Sequence, residues 1–230
     1  MVSRTNNSCA ECTKASKCFH LLYPDELEFI SKKKTQVNYL KGETIFKQGA
    51  FAPYVMYVAD GLVKVYLQTG MNKQINIRMV RQGEFMAFSS VFEENVHQYS
   101  SVAIKESTVC MIDKTALKQL ISKNADFASR IISRNYKNEY RYLEIIRNIS
   151  YSQMRGKLAS ALLYLSNDEL IAENVFQYLT RQDIADFASV TMESAVKFLK
   201  EFEAEGLIKM QGKDILVPDR EKLALISRNG

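Results

Sequence analysis

The chain has 230 residues, of which 47% are hydrophobic and 25% charged, with 9 glycines and 3 prolines. These are ordinary values for one or two globular domains, and they exclude a disordered, collagenous or purely coiled-coil chain. The net charge of +5 permits an anionic partner without requiring one.

The polar residues 1–7 lack the apolar core of a secretion signal, and no run reaches the roughly eighteen uncharged apolar residues of a membrane span. A cytoplasmic protein with no membrane partner is expected. Three cysteines, Cys9, Cys12 and Cys18, then crowd a short stretch, and Cys110 stands alone far downstream. In a reducing compartment such a C-x2-C-x5-C cluster reads as metal or redox chemistry before disulfides. The only histidines are His20 and His97, which excludes a Cys2His2 zinc pattern. Four thiolates suit tetrahedral zinc or a cubane iron–sulfur cluster. Three incidental thiols plus one structural Cys110 fit the same spacing.

Residues 24–34 read as a short helix, opened by Pro24, with Leu27 and Ile30 on one face and Lys32, Lys33 and Lys34 closing it. The character then changes. Five of the nine glycines (Gly42, Gly49, Gly61, Gly70, Gly83) fall between residues 42 and 83 and punctuate strand-like runs at 44–46, 54–59, 62–67 and 74–80. Alternation is clearest in Leu62-Val63-Lys64-Val65-Tyr66-Leu67. Further strands are expected at 99–104 and 108–112, the last carrying Cys110. Short strands at this spacing indicate an antiparallel roll or barrel.

From Asp113 the period becomes helical. Residues 125–149 contain no Pro or Gly and repeat Phe127, Ile131, Ile132, Tyr136, Tyr142, Leu143, Ile146 and Ile149 at three- and four-residue steps. A helix of that length is a packed spacer or a dimer seam. The seam would run along Ile132, Tyr136, Glu139, Tyr142 or Leu143, Ile146 and Ile149. Glu139 would be the one carboxylate in it, either facing its two-fold mate or turned outward to Arg134, Arg141 or a residue of the roll. A second amphipathic helix carries Met154, Leu158, Ala161, Leu162 and Leu165 on one face.

Residues 180–199 form a helix-turn-helix pattern. Thr180 can cap the first helix, with Asp183 placed as in a capping box, and Ile184 and Ala185 supply its buried face. Thr191 can cap the second helix, whose inner face is Ala195, Phe198, Leu199 and Phe202. Met192, Glu193, Val196 and Lys197 form its outer face, where a recognition helix meets base edges. Arg181 and Gln182 are placed for phosphates. Residues 207–217, with a turn at Gly212, read as a β-hairpin, which favours a winged helix-turn-helix. From Arg147 onward 11 Lys and Arg face 12 Asp and Glu, so binding would rest on local cations and helix N-termini.

A glycine-rich roll, a long helix and a winged helix-turn-helix together resemble the CRP/FNR superfamily of bacterial transcription regulators over essentially the whole chain. The resemblance implies an α+β fold: an N-terminal antiparallel β-roll (a cyclic-nucleotide-binding-like jelly roll), a dimerisation helix and a C-terminal DNA-binding domain. The expected division is a cysteine-rich segment 1–23, a roll 24–122, a dimerisation helix 123–149 and a winged helix-turn-helix 150–230. The cysteines are similar to the FNR branch. This implies that Cys9, Cys12, Cys18 and Cys110 hold an oxygen-labile [4Fe–4S] cluster that controls dimerisation and binding to a palindromic double-stranded DNA operator. RNA polymerase is a further partner of such a regulator, and no enzymatic activity is expected.

The cyclic-nucleotide branch carries a Gly-Glu turn followed by an Arg-Ser/Thr pair. Here Gly83-Glu84 is present, but residues 88–101 hold no Arg or Lys to meet a phosphate. The alternative reading keeps a small-molecule ligand in the roll and zinc, or no metal, at the cysteines. The recognition helix also departs from the family pattern. Glu193 matches its Glu, Val196 replaces a small residue and Lys197 replaces an Arg. Ser189 stands where the turn usually has Gly, at a cost of roughly 1 kcal/mol if that residue is left-handed.

Overall fold

The structure is a computed structural model that describes residues 4, 5, 9, 19–71, 73–92, 95–136 and 139–229. The chain forms two compact units: residues 1–67 with 79–139, and residues 68–78 with 140–230.

The first unit is the roll. Helix α1 (Pro24–Lys32) starts where the Glu26 carboxylate accepts the Tyr23 N–H at 2.9 Å. Lys33 and Lys34, expected to close this helix, do otherwise: Lys33 is its C-cap and Lys34 opens the next strand. Strand pairing decides the point, because the Lys33 carbonyl accepts from Asp113 N–H at 2.9 Å.

Among the described residues, nine strands follow a jelly-roll order. They are β1 (Arg4–Thr5), β2 (Lys34–Tyr39), β3 (Thr44–Phe46), β4 (Tyr54–Asp60), β5 (Leu62–Gly70), β6 (Lys73–Arg81), β7 (Phe85–Met86), β8 (Ser100–Ala103) and β9 (Ser107–Asp113). One sheet runs β1-β2-β9-β4-β7 and the other β3-β8-β5-β6, with every assigned pairing antiparallel. The predicted strands are all present. The sequence pattern missed β1, β2 and β7.

One face of the β1-β2-β9-β4-β7 sheet packs Val55, Tyr57, Phe85 and Ile112 against helical residues: Phe19 and Ile30 from the N-terminal side, Leu117, and Phe127 and Ile131 of α3 (Ala125–Tyr136). Helix α2 (Lys114–Lys123) is capped by the Asp113 carboxylate, which accepts the Ala116 N–H at 2.9 Å.

The second unit is helical. Residues 139–151 form α4 (Glu139–Tyr151); residues 137–138, between it and α3, lie outside the described residues. Helix α5 (Met154–Leu165) is the centre of this unit, with Leu158, Ala161, Leu162 and Leu165 fully buried as its period predicts. Met154, assigned to the same face, is exposed because it sits at the first turn.

Two short helices, α6 (Asp168–Ile171) and α7 (Val175–Tyr178), lead into α8 (Arg181–Ala188) and α9 (Met192–Ala204). A two-stranded wing, β10 (Lys209–Gln211) and β11 (Asp214–Leu216), turns at Gly212, which has φ +62°. A last helix, α10 (Arg220–Asn229), packs on α5; Arg220 donates to the Ser166 hydroxyl at 2.8 Å. The sequence reading left α6, α7 and α10 unassigned.

Candidate metal centre and nucleic-acid interface

The thiols are placed by strand register. Cys110 on β9 lies opposite Gln36 of β2 and Tyr57 of β4, while two residues on, Ile112 lies opposite Lys34 and Val55. Side chains two apart share a face, so Lys34, Tyr57, Cys110 and Ile112 face the same side of the sheet. Cys9 closes that side: its N–H donates to the Ser31 hydroxyl of α1 at 2.7 Å, and its side chain packs on the roll core.

The outcome is a small cavity of about 20 Å³ lined by Cys9, Phe19, Ile30, Lys34, Tyr57, Cys110 and Ile112. Two thiols 101 residues apart in sequence therefore meet on one cavity. Cys12 and Cys18 lie outside the described residues. The lining offers sulfur donors and no carboxylate or imidazole, a set that suits soft metals and iron–sulfur clusters rather than calcium or magnesium. The donor set therefore fits such a group.

The Gly83-Glu84 turn is held by its own backbone. Gly83 N–H donates to Val58 O at 2.8 Å, and Val58 N–H donates to Glu84 O at 3.0 Å. The Glu84 carboxylate accepts from the Arg81 N–H at 2.9 Å and stands 3.6 Å from the Arg81 guanidinium. A structural turn accounts for this pair of residues.

In the second unit both helix starts form as the sequence dictates. Thr180 Oγ1 accepts the Asp183 N–H at 3.0 Å, and the Asp183 carboxylate accepts the Thr180 N–H at 2.8 Å, a complete capping box. Thr191 Oγ1 accepts the Ser194 N–H at 3.2 Å. Between them Ser189 is left-handed, with φ +54° and ψ +44°, the conformation for which glycine is ordinarily chosen.

The inner face of α9 is Ala195, Leu199 and Phe202; Phe198, expected with them, is only half-buried. Met192, Glu193 and Lys197 are exposed and Val196 is half-buried, so the proposed reading face is open. The Glu193 carboxyl is held below the usual carboxylate range by its own backbone N–H and by the Thr191 hydroxyl. It stays an acceptor at the positive end of the helix.

Arg181 and Gln182 have local partners. Arg181 reaches the wing, 3.4 Å from Gly212 O and 3.7 Å from Met210 Sδ. Gln182 donates to the Asp186 carboxylate at 2.7 Å.

Asp186 itself is buried and takes a second bond at 2.7 Å from Gln74, on the hairpin tip 68–78 of the same unit. Asn76, beside it and fully buried, donates to Asp183 O at 3.0 Å. Arg141 is buried over the Tyr164 ring at 3.8 Å and donates to Ile77 O at 3.1 Å. Sequence reasoning missed this clamp on α8. Its only signal was a run of polar residues in a strand, which usually means a solvated edge.

Along α3, Ile132 and Tyr136 are exposed, and along α4 so are Tyr142, Leu143, Ile146 and Ile149. Glu139 is exposed and accepts a hydrogen bond from the Tyr136 hydroxyl, which raises the phenol's pKa above its ordinary value. Arg141, weighed above as a partner for Glu139, is instead paired with Glu144 at 3.5 Å.

Two family models match the chain: the cyclic nucleotide-binding domain over residues 36–124 and the Crp-like helix-turn-helix domain over residues 156–226, together 160 of 230 residues. The chain belongs to the CRP/FNR superfamily.

The CRP/FNR relatives include the cAMP-activated global transcriptional regulator CRP of Salmonella typhimurium, 28% identical over 186 residues, covering 78% of this chain and 88% of the relative. Electron transport regulator A of Shewanella oneidensis is 25% identical over 232 residues, covering 96% and 90%. Among solved structures, FixK2 from Bradyrhizobium japonicum has the same fold, with a TM-score of 0.71 at 17% identity, covering 84% of this chain and 96% of that one. This CRP/FNR protein is accordingly a DNA-binding transcription regulator and not an enzyme. Regulators of this kind bind DNA and function as dimers. Among the described residues, no helix is long and apolar enough to cross a membrane.

Proposed function

We propose that this regulator senses oxygen or redox state through a [4Fe–4S] cluster held by Cys9, Cys12, Cys18 and Cys110. One observation carries the reading: Cys9, which precedes the roll, and Cys110 on β9 line one cavity. When bound, such a cluster would supply an oxygen-labile redox group.

The chain's own residues do the rest. Cys110 presents its thiolate from a strand paired on both sides, so its position is fixed. Cys9 is tied to α1 through Ser31 and packs on the same core. In a dimer, two copies of α9 would present Glu193 and Lys197 to successive major grooves of a palindromic operator. Glutamate accepts from cytosine N4, and lysine donates to guanine or a phosphate. The exposed apolar residues of α3 and α4 are the natural dimer seam, with Glu139 as its carboxylate.

A second reading has support as well, because the Salmonella relative is named as cAMP-activated and the roll matches the cyclic nucleotide-binding model. Against it stand the missing cation between residues 88 and 101 and the engagement of Glu84 with Arg81. Iron and acid-labile sulfide in anaerobically purified protein separate the two. The cluster reading expects about four irons per chain, lost in Cys18→Ser and Cys110→Ser variants. Iron-free protein that binds cAMP would replace it with the second reading.

A further inference from the structure

Lys34 is the feature of the cavity that sulfur ligation leaves unexplained. It opens β2, lies opposite Ile112 and is only 6% exposed. Lysine is almost never buried unless paired, since a desolvated ammonium is costly. Yet among the described residues Lys34 makes no ion pair and no side-chain hydrogen bond. It lines the cavity on which Cys9 and Cys110 meet, with aromatic and aliphatic walls besides. The remaining lining groups that can carry negative charge in that cavity are the two thiols and the Tyr57 phenol. A phenol is neutral near pH 7, which leaves the two thiols as the lining groups able to carry negative charge.

We propose that Lys34 is the buried counter-charge of the cysteine site, a tuning residue that offsets the negative charge of the thiolate-ligated cluster and so sets how readily it is reduced and how long it survives in air. This rests on the cluster reading given above and adds a role to a residue that ligates nothing. Four thiolates on a cubane leave a net negative group, and net charge, hydrogen bonding and exposure are what set such a cluster's potential. Adding one electron, taken from a mediator-coupled reductant, makes the group more negative still. A fixed cation in a low-dielectric wall favours that step, and its removal disfavours it. Removal also leaves the thiolates less well compensated, which loosens their hold on the iron.

The test compares wild type, Lys34→Met and Lys34→Arg, each purified anaerobically as the full chain with its cluster. Each is titrated spectroelectrochemically, and the cluster's visible absorbance is followed after admission of air. Lys34→Met keeps the stem and removes the charge; Lys34→Arg keeps the charge. Lys34→Met should have a lower midpoint, by on the order of tenfold in the equilibrium, or about 59 mV for one electron. It should also lose its absorbance several-fold faster, with Lys34→Arg close to wild type.

Equal midpoints and decay rates in wild type and Lys34→Met would overturn the proposal. If Lys34→Met keeps its far-UV dichroism but holds no cluster, recovery of the cluster in Lys34→Arg supports the charge. Failure of both makes position 34 a packing site and overturns the proposal. Wild-type protein without iron or sulfide would instead remove the cluster reading on which the proposal stands.

Discussion

Gly61→Ala should damage the roll, and the damage should reach the strand that carries Cys110. Gly61 turns β4 into β5 at φ +105°. A methyl added there would stand 2.5 Å from both Cα and Cβ of Ser107 and closer still to its Oγ. Ser107 opens β9, and its hydroxyl accepts the buried Leu62 N–H at 3.1 Å and donates to Lys105 O at 2.8 Å.

Three costs follow. The left-handed backbone strains alanine by roughly 1–3 kcal/mol. Overpacking against a backbone atom adds roughly 1–3 kcal/mol. Displacing Ser107 strands a buried N–H for about 1–3 kcal/mol more. These share one relaxation, so a total of about 3–6 kcal/mol is expected rather than their full sum. Gly42 is the control. It has φ +86° and open space where the Cβ would go, so Gly42→Ala should cost only about 1–2 kcal/mol.

Urea unfolding followed by far-UV dichroism reads the difference, since the chain has no tryptophan to report by fluorescence. At a slope of about 1–3 kcal/mol per molar, the Gly61→Ala midpoint should fall below that of Gly42→Ala by about 1 M. Coincident midpoints would refute the packing argument.

Ser189→Gly should stabilise the helix-turn-helix by roughly 1 kcal/mol by releasing the left-handed serine, read as a raised thermal midpoint. Glu193→Ala should cost about 1–3 kcal/mol of discrimination at one base pair; equal loss on unrelated sequences in a competition assay would make it a folding residue instead. His97 is buried against the Phe46 ring at 4.0 Å, its Nδ1 unpaired among the described residues, and burial holds its pKa below the ordinary 6.5. Above pH 6.5 neither state binds that proton. As pH falls below 6.5 the unfolded chain takes it up first, so stability declines toward the lower folded value, and His97→Gln should flatten that part of a urea-midpoint profile. Glu139→Ala should dimerise more tightly than wild type in sedimentation of cluster-free protein, because it removes a carboxylate from an apolar seam; unchanged dimerisation would take Glu139 out of the switch.

Local signals were the legible part of this sequence. Alternation in residues 62–67, the threonines at 180 and 191, and the period of α5 each act within one turn or one strand, and each formed as read except for Met154 at the start of α5. What the sequence hid depends on distant partners. The lysine run 32–34 looks like a helix end, and only pairing with β9 makes Lys34 a buried strand residue. Asp186 looks like a solvated charge on α8, yet Gln74, 112 residues away, buries it. Ser189 could be flagged as strained only on the supposition that its turn is left-handed. The cysteine spacing pointed to one site, but spacing alone could not bring Cys110 to Cys9; the registers of β9 with β2 and β4 place it there.

The most direct test of a cluster-gated regulator is DNA affinity measured on one anaerobic sample before and after air removes its visible chromophore. The account predicts tight binding to a palindromic operator selected from random sequences while iron and sulfide are present. Affinity should then fall in step with chromophore loss, and dimer content should fall with it. An affinity indifferent to air, in protein whose chromophore has demonstrably gone, would contradict it.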